Sequence, residues 1–548
     1  MKITFFLICI VAYFKGHSQS TIGLVDYQAN NTDGYVLFSP MSSTETYLID
    51  KCGQKVHEWN TNAYRPGLSS YLLEDGSLLR TGILDNDNFN EGGSGGIIER
   101  FNWNGNLTWS YTISNSDNCQ HHDIKYLPNG NILVIVWDRY TNAEAIANGK
   151  NTTYTNSHLW SEKIMELQPF GNNGANVVWE WKLWDHLVQE FDNTKPNFGV
   201  VTDHPELVNI NYFPGLANNI DWIHLNSIDY NPALDQILLS SHTLNEVWII
   251  DHSTSTAEAA THIGGNSGKG GDLMYRWGNP QAYQRGTPLT KKFYGQHHVT
   301  WIPVGYPNAG KILIFNNGLN RAGTYSSIDM IETPIDFSNQ YPIAPATAFL
   351  PASLFWTYTA SIPADFYSSN ISGVYPLSNS SFMITSGASG TFFEINSANE
   401  TVWKYINPID QTGILTQGMT PLNNSVFRCN YYPSSYPGFI GQTLNPLGEI
   451  ELNPTVPSLC SNVLSTPQIT NEENIIVVFP NPSSGILNIV SENNIDDLKI
   501  TDIFGKEIYH LTPNDQNVVL QLKSKGVYFV TILSSKKMTT KKVIVNNY

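Results

Sequence analysis

The sequence predicts an all-β protein, a six-bladed β-propeller followed by a small C-terminal β-sandwich. Three observations lead there. Charged residues make up 14% of the chain and aromatics 12%, and Gly, Asn, Ser and Thr fill the stretches between short apolar runs, as expected for many short strands joined by turns. At 548 residues the chain is longer than one compact core requires, which points to several domains or a repeat architecture. Two strand signals recur six times each, out of phase with one another.

The first signal is an aromatic or apolar pair, a turn rich in Pro, Asn, Asp or Gly, and a short apolar strand. It occurs at residues 71–79 (YLLEDGSLL), 124–134 (IKYLPNGNILV), 228–239 (IDYNPALDQILL), 299–314 (VTWIPVGYPNAGKILI), 374–384 (VYPLSNSSFMI) and 419–427 (MTPLNNSVF). Each reads as a β-hairpin. The second signal is two aromatic residues, or His plus an aromatic, one residue apart at a strand end. It occurs at His57 and Trp59, Trp109 and Tyr111, Trp179 and Trp181, Tyr275 and Trp277, Trp356 and Tyr358, and Trp403 and Tyr405. Two interleaved hairpin signals give about four strands per unit, the blade of a propeller. A long array of β-sandwiches is the alternative, since hairpins alone do not establish closure. The segment 46–59 has the character of an outer hairpin but precedes the first inner repeat, so it is expected to complete the last blade beside residues 438–452 and close the ring. Unequal spacing places long insertions around 141–162, 182–221 and 252–295, and such loops often carry function.

Residues 1–19 combine Lys2, an apolar run over residues 3–14 and a small or polar exit near Ser18, the pattern of a secretory signal peptide. No other run is long and apolar enough to cross a bilayer. The propeller is expected over 20–460, a polar linker over 461–473 and a separate β domain over 474–548. Removing Cys9 with the signal leaves Cys52, Cys119, Cys429 and Cys460. In an oxidising compartment these favour two disulfides, with three pairings open, and their spacing is wrong for zinc. Cys460 is expected to tie the end of the large domain to an earlier strand. A net charge of −17 argues against a broad nucleic-acid surface, because phosphate affinity comes mainly from Lys and Arg.

The tail opens with Val478-Phe-Pro-Asn-Pro482, continues through residues 485–490, and ends in 526–532 (GVYFVTI) and 541–545 (KKVIV). It resembles the C-terminal sorting domain of type IX secretion found in Bacteroidetes. The resemblance implies a secreted or surface-bound protein, periplasmic in transit, with the secretion machinery as a partner of the tail. A generic immunoglobulin-like appendage is the alternative.

Aligning the inner hairpins on Ile124, Ile228 and Val299 places His122, Asn226 and His297 at one equivalent position. His224 lies two residues before Asn226 and faces the same side of an extended strand. Equivalent positions on successive blades converge on one region of the axial channel. His121, Asp123 and His298 are expected to point into blade packing, although an irregular strand entrance would exchange His297 with His298. Three imidazoles and an amide suit either a metal or the transfer of an oxyanion group. Metal-binding histidines usually need carboxylates behind them, and only Asp123 and Asp221 are near in sequence. Group transfer needs a neutral imidazole to attack and further donors to hold charged oxygens and protonate the leaving group. The residue types fit that better.

These residues resemble the bacterial aryl-sulfate sulfotransferases. The match rests on His122-Asp-Ile-Lys-Tyr-Leu-Pro-Asn-Gly-Asn131, on Asp221-Trp-Ile-His-Leu-Asn-Ser-Ile-Asp-Tyr230 followed by Ser240-Ser241, on Gly295-Gln-His297, and on Phe315-Asn-Asn-Gly-Leu-Asn-Arg321 running to Ser326. It covers roughly residues 34 to 455. The resemblance implies a six-bladed propeller that takes sulfate from a phenolic ester onto a histidine and passes it to another phenol, with no nucleotide sulfate donor and no cofactor. It implies His297 as the nucleophile, His224 and Asn226 as sulfuryl ligands that help with proton transfer, His122 as a further donor and Arg321 as a nearby positive charge. The sequence departs from the family after the paired serines, where His242 stands in place of an arginine that grips the sulfate. Anion binding is then expected to be weaker or pH-dependent. Trp222, Tyr294 and Trp301 are candidates to stack on a phenolic ring, though such residues more often fill a propeller core. Two other functions stay open: a non-catalytic secreted propeller that binds a glycan or protein, and a metal-dependent hydrolase or lyase on the same histidines.

Overall fold

Apolar strands separated by tight turns pair with their nearest neighbours, and here they form six antiparallel sheets around one axis. The computed structural model describes residues 20–545 apart from 62, 214–218, 455–459, 461–475 and the single positions 482, 484, 504 and 536. The expected signal peptide, 1–19, and the expected linker, 461–473, lie outside the described residues. Taking each blade from its innermost strand outward, blade 2 is Pro66–Leu72, Leu78–Ile83, Gly96–Phe101 and Leu107–Thr112. Blade 3 is Asn118–Tyr126, Ile132–Thr141, His158–Phe170 and Gly174–Lys182. Blade 4 is Leu225–Asn231, Gln236–Ser241, Glu246–Asp251 and Tyr275–Trp277. Blade 5 is His297–Trp301, Ile312–Asn316, Ser327–Ile331 and Trp356–Tyr358. Blade 6 is Gly373–Pro376, Phe382–Ser386, Thr391–Ile395 and Thr401–Ile406.

Blade 1 closes the ring. Its inner strand, Val426–Tyr432, comes from the end of the propeller, and its outer three, Tyr35–Pro40, Glu45–Asp50 and Lys55–Asn60, come from the beginning. The 46–59 hairpin therefore completes the last blade, with residues 438–452 contributing the bridge between Gln54 and Glu449. The sixth inner repeat departs from expectation. Residues 419–425 form no strand, and Val426–Tyr432 takes its partner from Tyr35–Pro40, so no local hairpin exists there. A turn-rich sequence marks a chain reversal only when both flanking strands pair with each other. Gly23–Tyr27 adds a fifth strand to blade 6, and the buried ion pair of Lys51 with Glu394 at 2.7 Å joins blades 1 and 6.

All six aromatic pairs fall on the fourth strand of a blade, counted outward from the channel. Their polar ends reach the next blade: Trp59 Nε1 donates to Asn102 O, Trp109 Nε1 to Gly174 O, Trp179 Nε1 to Thr254 Oγ1, Trp277 Nε1 to Pro351 O, and Trp403 Nε1 to Lys51 O. A large apolar body with one donor suits a position that packs on its own blade and must satisfy an N–H at the neighbour. Apolar clusters fill the interfaces between consecutive blades. Losing one of these fully buried indoles costs on the order of 3–5 kcal/mol.

One disulfide forms, Cys52–Cys460, across a sequence separation of 408 residues, as expected of Cys460. The expected second bridge does not, because Cys119 and Cys429 are each buried as free thiols in different blades. The chain divides into two compact units between Val463 and Leu464. In the second, the 17-residue strand Ile486–Asp502 pairs with Ile476–Phe479 and Asp515–Gln521 along its first half, and with Glu507–Leu511 and Gly526–Ser534 along its second. Lys537–Val545 extends the sheet, and a bridge from Ser483 to Val545 brings it almost to closure. Its alternating inward residues, such as Leu487, Ile489, Ile500, Val530 and Ile532, form one core.

Candidate active site

The innermost strands enter from one end of the channel through irregular pairing. Val134 faces Ile124 while Val136 faces Gln120, Ser241 faces Leu225 while Ser240 faces Ser227, and Phe315 faces His297 while Ile314 faces Val299. Each irregularity is a bulge that re-aims side chains. Left-handed backbone falls within this stretch at His122 and His298 and just before it at His224, with φ of 51°, 44° and 52°, a region that non-glycine residues enter at a cost of order 1–3 kcal/mol each.

The pairing bears out the equivalence of Ile124, Ile228 and Val299, which face Val134, Leu239 and Ile314. The residue just before each one performs the same task on successive blades. Asp123 Oδ2 accepts from Ile228 N at 3.3 Å, Ser227 Oγ from Val299 N at 3.0 Å, and His298 Nδ1 from Val374 N at 3.0 Å. His298 is thus an interblade stitch. His297, one residue earlier, faces the channel cluster.

Four imidazoles form a continuous arc. Ring centroids of His122 and His224 are 4.5 Å apart, those of His224 and His242 5.2 Å, and those of His242 and His297 5.1 Å. His242 comes from the turn after Gln236–Ser241, and its N–H donates to His224 O at 3.1 Å. It occupies the middle of the arc.

The partners of each ring set its proton state. Both N–H groups of the Asn317 amide are used, on Ser368 O at 2.8 Å and Ile371 O at 2.9 Å, so Oδ1 is what faces His297 Nδ1 at 2.8 Å. His297 therefore donates from Nδ1, and its Nε2 carries the lone pair, which accepts from Ile371 N at 3.2 Å. Burial, chiefly, lowers its pKa to about 3; the charge of His224 and of Arg428 adds to that, and the Asn317 and Gly295 acceptors oppose it. His224 is the opposite case. Burial pulls it down, but Asp221, whose Oδ2 lies 2.5 Å from Nδ1, outweighs burial and raises it above its ordinary value. Asp221 Oδ1 accepts from Trp137 Nε1 at 3.2 Å. Burial and the neighbouring imidazoles hold His242 and His122 well below theirs.

Behind His122 lies a second line of polar groups. His122 Nδ1 is 2.8 Å from His121 Nδ1, and His121 Nε2 is 2.8 Å from Glu162 Oε2. His121 stacks on Trp137 at 4.1 Å, and Glu162 Oε1 accepts from Leu225 N at 2.9 Å. Burial, reinforced by the charges of Asp221 and Asp138, raises the Glu162 carboxyl well above the usual range.

Several expected residues are placed elsewhere. Asn226 is wholly buried, and its Nδ2 donates to Gln296 O at 2.8 Å, so the amide ties blade 4 to blade 5, while its Oδ1 has no hydrogen-bond partner. Arg321 donates to Ser327 Oγ and lies over Tyr294 and Tyr325. Trp222 and Trp301 are core residues. Sequence reasoning missed Arg428, a buried cation 2.6 Å from Asp123 on the inner strand of blade 1, as well as Glu162 and the Asn317 contact. Asn317 lay inside a quoted motif; Glu162 carried no signal.

A six-bladed propeller with an imidazole arc at the entrances of its inner strands is the class that this geometry defines. A family model described as Arylsulfotransferase (ASST) matches residues 25–417, and the chain belongs to that family, whose general activity is aryl sulfotransfer. A second model, the secretion system C-terminal sorting domain, matches residues 477–546. The tail directs the protein by type IX secretion to the cell surface or beyond it. Among the described residues no helix is long and apolar enough to cross a membrane.

No curated protein matches the chain. Among solved structures, a protein of unknown function from Bacteroides caccae is 12% identical over 73% of this chain and 98% of that one, with a TM-score of 0.39. Virginiamycin B lyase from Staphylococcus aureus is 12% identical over 71% and 88%, with a TM-score of 0.31. A Lactobacillus plantarum protein is 9% identical over 90% and 100%, with a TM-score of 0.35.

Proposed function

We propose that the protein transfers a sulfuryl group from a phenolic sulfate ester to a phenol through a sulfohistidine at His297. The observation that carries this reading is the split within one arc between a neutral ring whose lone pair is on Nε2 at His297 and a ring paired with a carboxylate at His224. Groups driven apart in this way take the roles of nucleophile and acid. In the first step His297 Nε2 attacks sulfur; the N–S bond forms as the S–O bond to the aryl group breaks, and His224 Nε2 gives its proton to the departing phenolate. Asn317 and Gly295 accept from Nδ1 and stabilise the positive charge that develops on the ring. In the second step a phenol oxygen attacks sulfur, its proton returns to His224, and the N–S bond breaks.

The transition state of sulfuryl transfer, like that of phosphoryl transfer, leaves positioning and electrostatics to do most of the work. A protonated Glu162 donates to His121 Nε2, His121 Nδ1–H to His122 Nδ1, and His122 is left with Nε2–H as a neutral donor toward the sulfuryl oxygens. The N–H of Ile371, released from Nε2 on sulfation, supplies another. Asn226 supports His297 through Gln296. With His242 neutral, the pocket's positive charge rests on His224, which makes anion binding pH-dependent. Arg321 acts through Tyr294 as an outer positive charge.

Incubating the protein with a chromogenic aryl sulfate and no acceptor should add the mass of one sulfuryl group. His297→Ala should abolish both that mass and transfer to phenol. Turnover without the mass gain, or unchanged turnover in the variant, would overturn the assignment.

A further inference from the structure

Outside the arc, three side chains converge where the outer strand of blade 3 meets the insertion between Glu246–Asp251 and Tyr275–Trp277 of blade 4. His186 follows Gly174–Lys182 by four residues, and His262 and Asp272 both lie in the insertion. We propose that His186, His262 and Asp272 bind a divalent transition-metal cation of the zinc class, which clamps the insertion to the edge of blade 3.

Both histidines present Nδ1 to the same atom, Asp272 Oδ1, at 2.8 Å each. The other nitrogen of His186, Nε2, lies 2.8 Å from Ala259 O. A carbonyl only accepts, so the single N–H of a neutral His186 goes to Ala259 and the Nδ1 lone pair faces a carboxylate oxygen. Two lone pairs at that distance repel. An extra proton on His186 removes that conflict, and so does a cation shared by its Nδ1 lone pair and the carboxylate; the exposed His262, whose neutral ring can carry its proton on either nitrogen, can turn its own Nδ1 lone pair to the same ion.

A ring whose far N–H is held by a backbone carbonyl is how a metal-binding histidine is oriented. The ring of His186 is also held parallel to Trp181, with centroids 5.7 Å apart. Two imidazoles and one carboxylate are the donors that zinc and its neighbours accept, with positions left for water. The His262 side chain is 60% exposed, which leaves an entry path, while that of Asp272 is 7% exposed. The three ligand atoms lie within 4.8 Å of one another. An ion about 2.1 Å from each holds neighbouring donors roughly 3 to 3.4 Å apart, so seating it lengthens the two nitrogen-to-oxygen distances of 2.8 Å slightly and draws the two nitrogens to one ion, a movement available at the exposed His262.

The insertion itself has little regular structure to hold it. After the four-residue helix Thr256–Ala259 it runs through Gly264, Gly265, Gly268 and Gly270, all with positive φ. Cross-linking such a loop to a neighbouring strand is the task a structural ion performs.

The full chain, stripped of metal and then given zinc alone, should retain one equivalent after dialysis and melt several degrees higher than the stripped protein. Because the imidazole arc also offers nitrogen ligands, two variants locate the ion. His262→Ala, at an exposed position, should lose the zinc and the thermal shift while keeping the stripped protein's melting temperature. His297→Ala should keep both. Zinc retained equally by wild type and His262→Ala, or stoichiometric zinc in neither, would overturn the proposal.

Discussion

Two histidines of the arc sit in opposite electrostatic settings. On blade 4, His224 meets the carboxylate of Asp221; on blade 5, His297 meets the amide of Asn317. Both rings donate from Nδ1 to a single oxygen acceptor on a neighbouring side chain, so the hydrogen bond alone does not distinguish them. The difference is one unit of charge on the partner. A carboxylate offsets the burial cost of an imidazolium and an amide does not, which leaves His224 raised and His297 lowered to about 3. An imidazole's proton affinity is thus set by the group behind it.

Exchanging the partners breaks the comparison most severely. Asp221→Asn should lower kcat/KM by about 10²- to 10³-fold, the loss of one well-placed charged donor. It should also move the alkaline limb of the pH profile downward. In the proposed mechanism transfer needs His224 protonated, so activity should fall as pH rises through its raised pKa, and the limb should drop once the carboxylate is gone. The acid limb, where His297 becomes protonated near pH 3, should stay in place. A profile with both limbs unchanged would exclude His224 as the acid.

Asn317→Asp makes the converse change by giving His297 a carboxylate. The acid limb should then move up, with sulfation of His297 slowed about 10-fold below pH 6, as read by the rate of mass gain. The variant also loses the donors to Ser368 and Ile371, so its melting temperature should be followed in parallel.

The smallest effect tests the line behind His122. Glu162→Gln can keep Oε1 on Leu225 N and place an N–H against His121 Nε2, which preserves the proposed direction of donation, so turnover within about threefold of wild type is expected. Glu162→Leu removes that direction and should cost about 10-fold in kcat with little change in KM. Nitrogen NMR on the imidazoles should find His122 protonated at Nε2 in wild type and Glu162→Gln. A large loss in the Gln variant would reverse the proposed polarity.

Much of the ring was legible before the structure. Aromatic pairs spaced one residue apart mark the outer strands because an alternating strand buries every second residue against the next blade, as at Trp403 and Tyr405. The inner-strand register was equally readable from Ile124, Ile228 and Val299. The sixth hairpin was misread because Val426–Tyr432 pairs with a strand near the other end of the chain, and a local turn signal carries nothing about distant partners. Asn226 occupies the register position expected of it, but a bulge in each inner strand decides which way a side chain turns there. Two of the four cysteines expected to form two disulfides are held apart in blades 3 and 1.

The sequence by itself determined the number of blades, the register of the inner strands and the presence of histidines at their entrances, since each follows from side-chain periodicity over a few residues. Only the tertiary structure decided what each histidine faces. Glu162 is 41 residues from His121, and Asn317 is 20 residues from His297; neither contact follows from local pattern. Proton state depends on burial and the nearest charge, and both are properties of the closed ring.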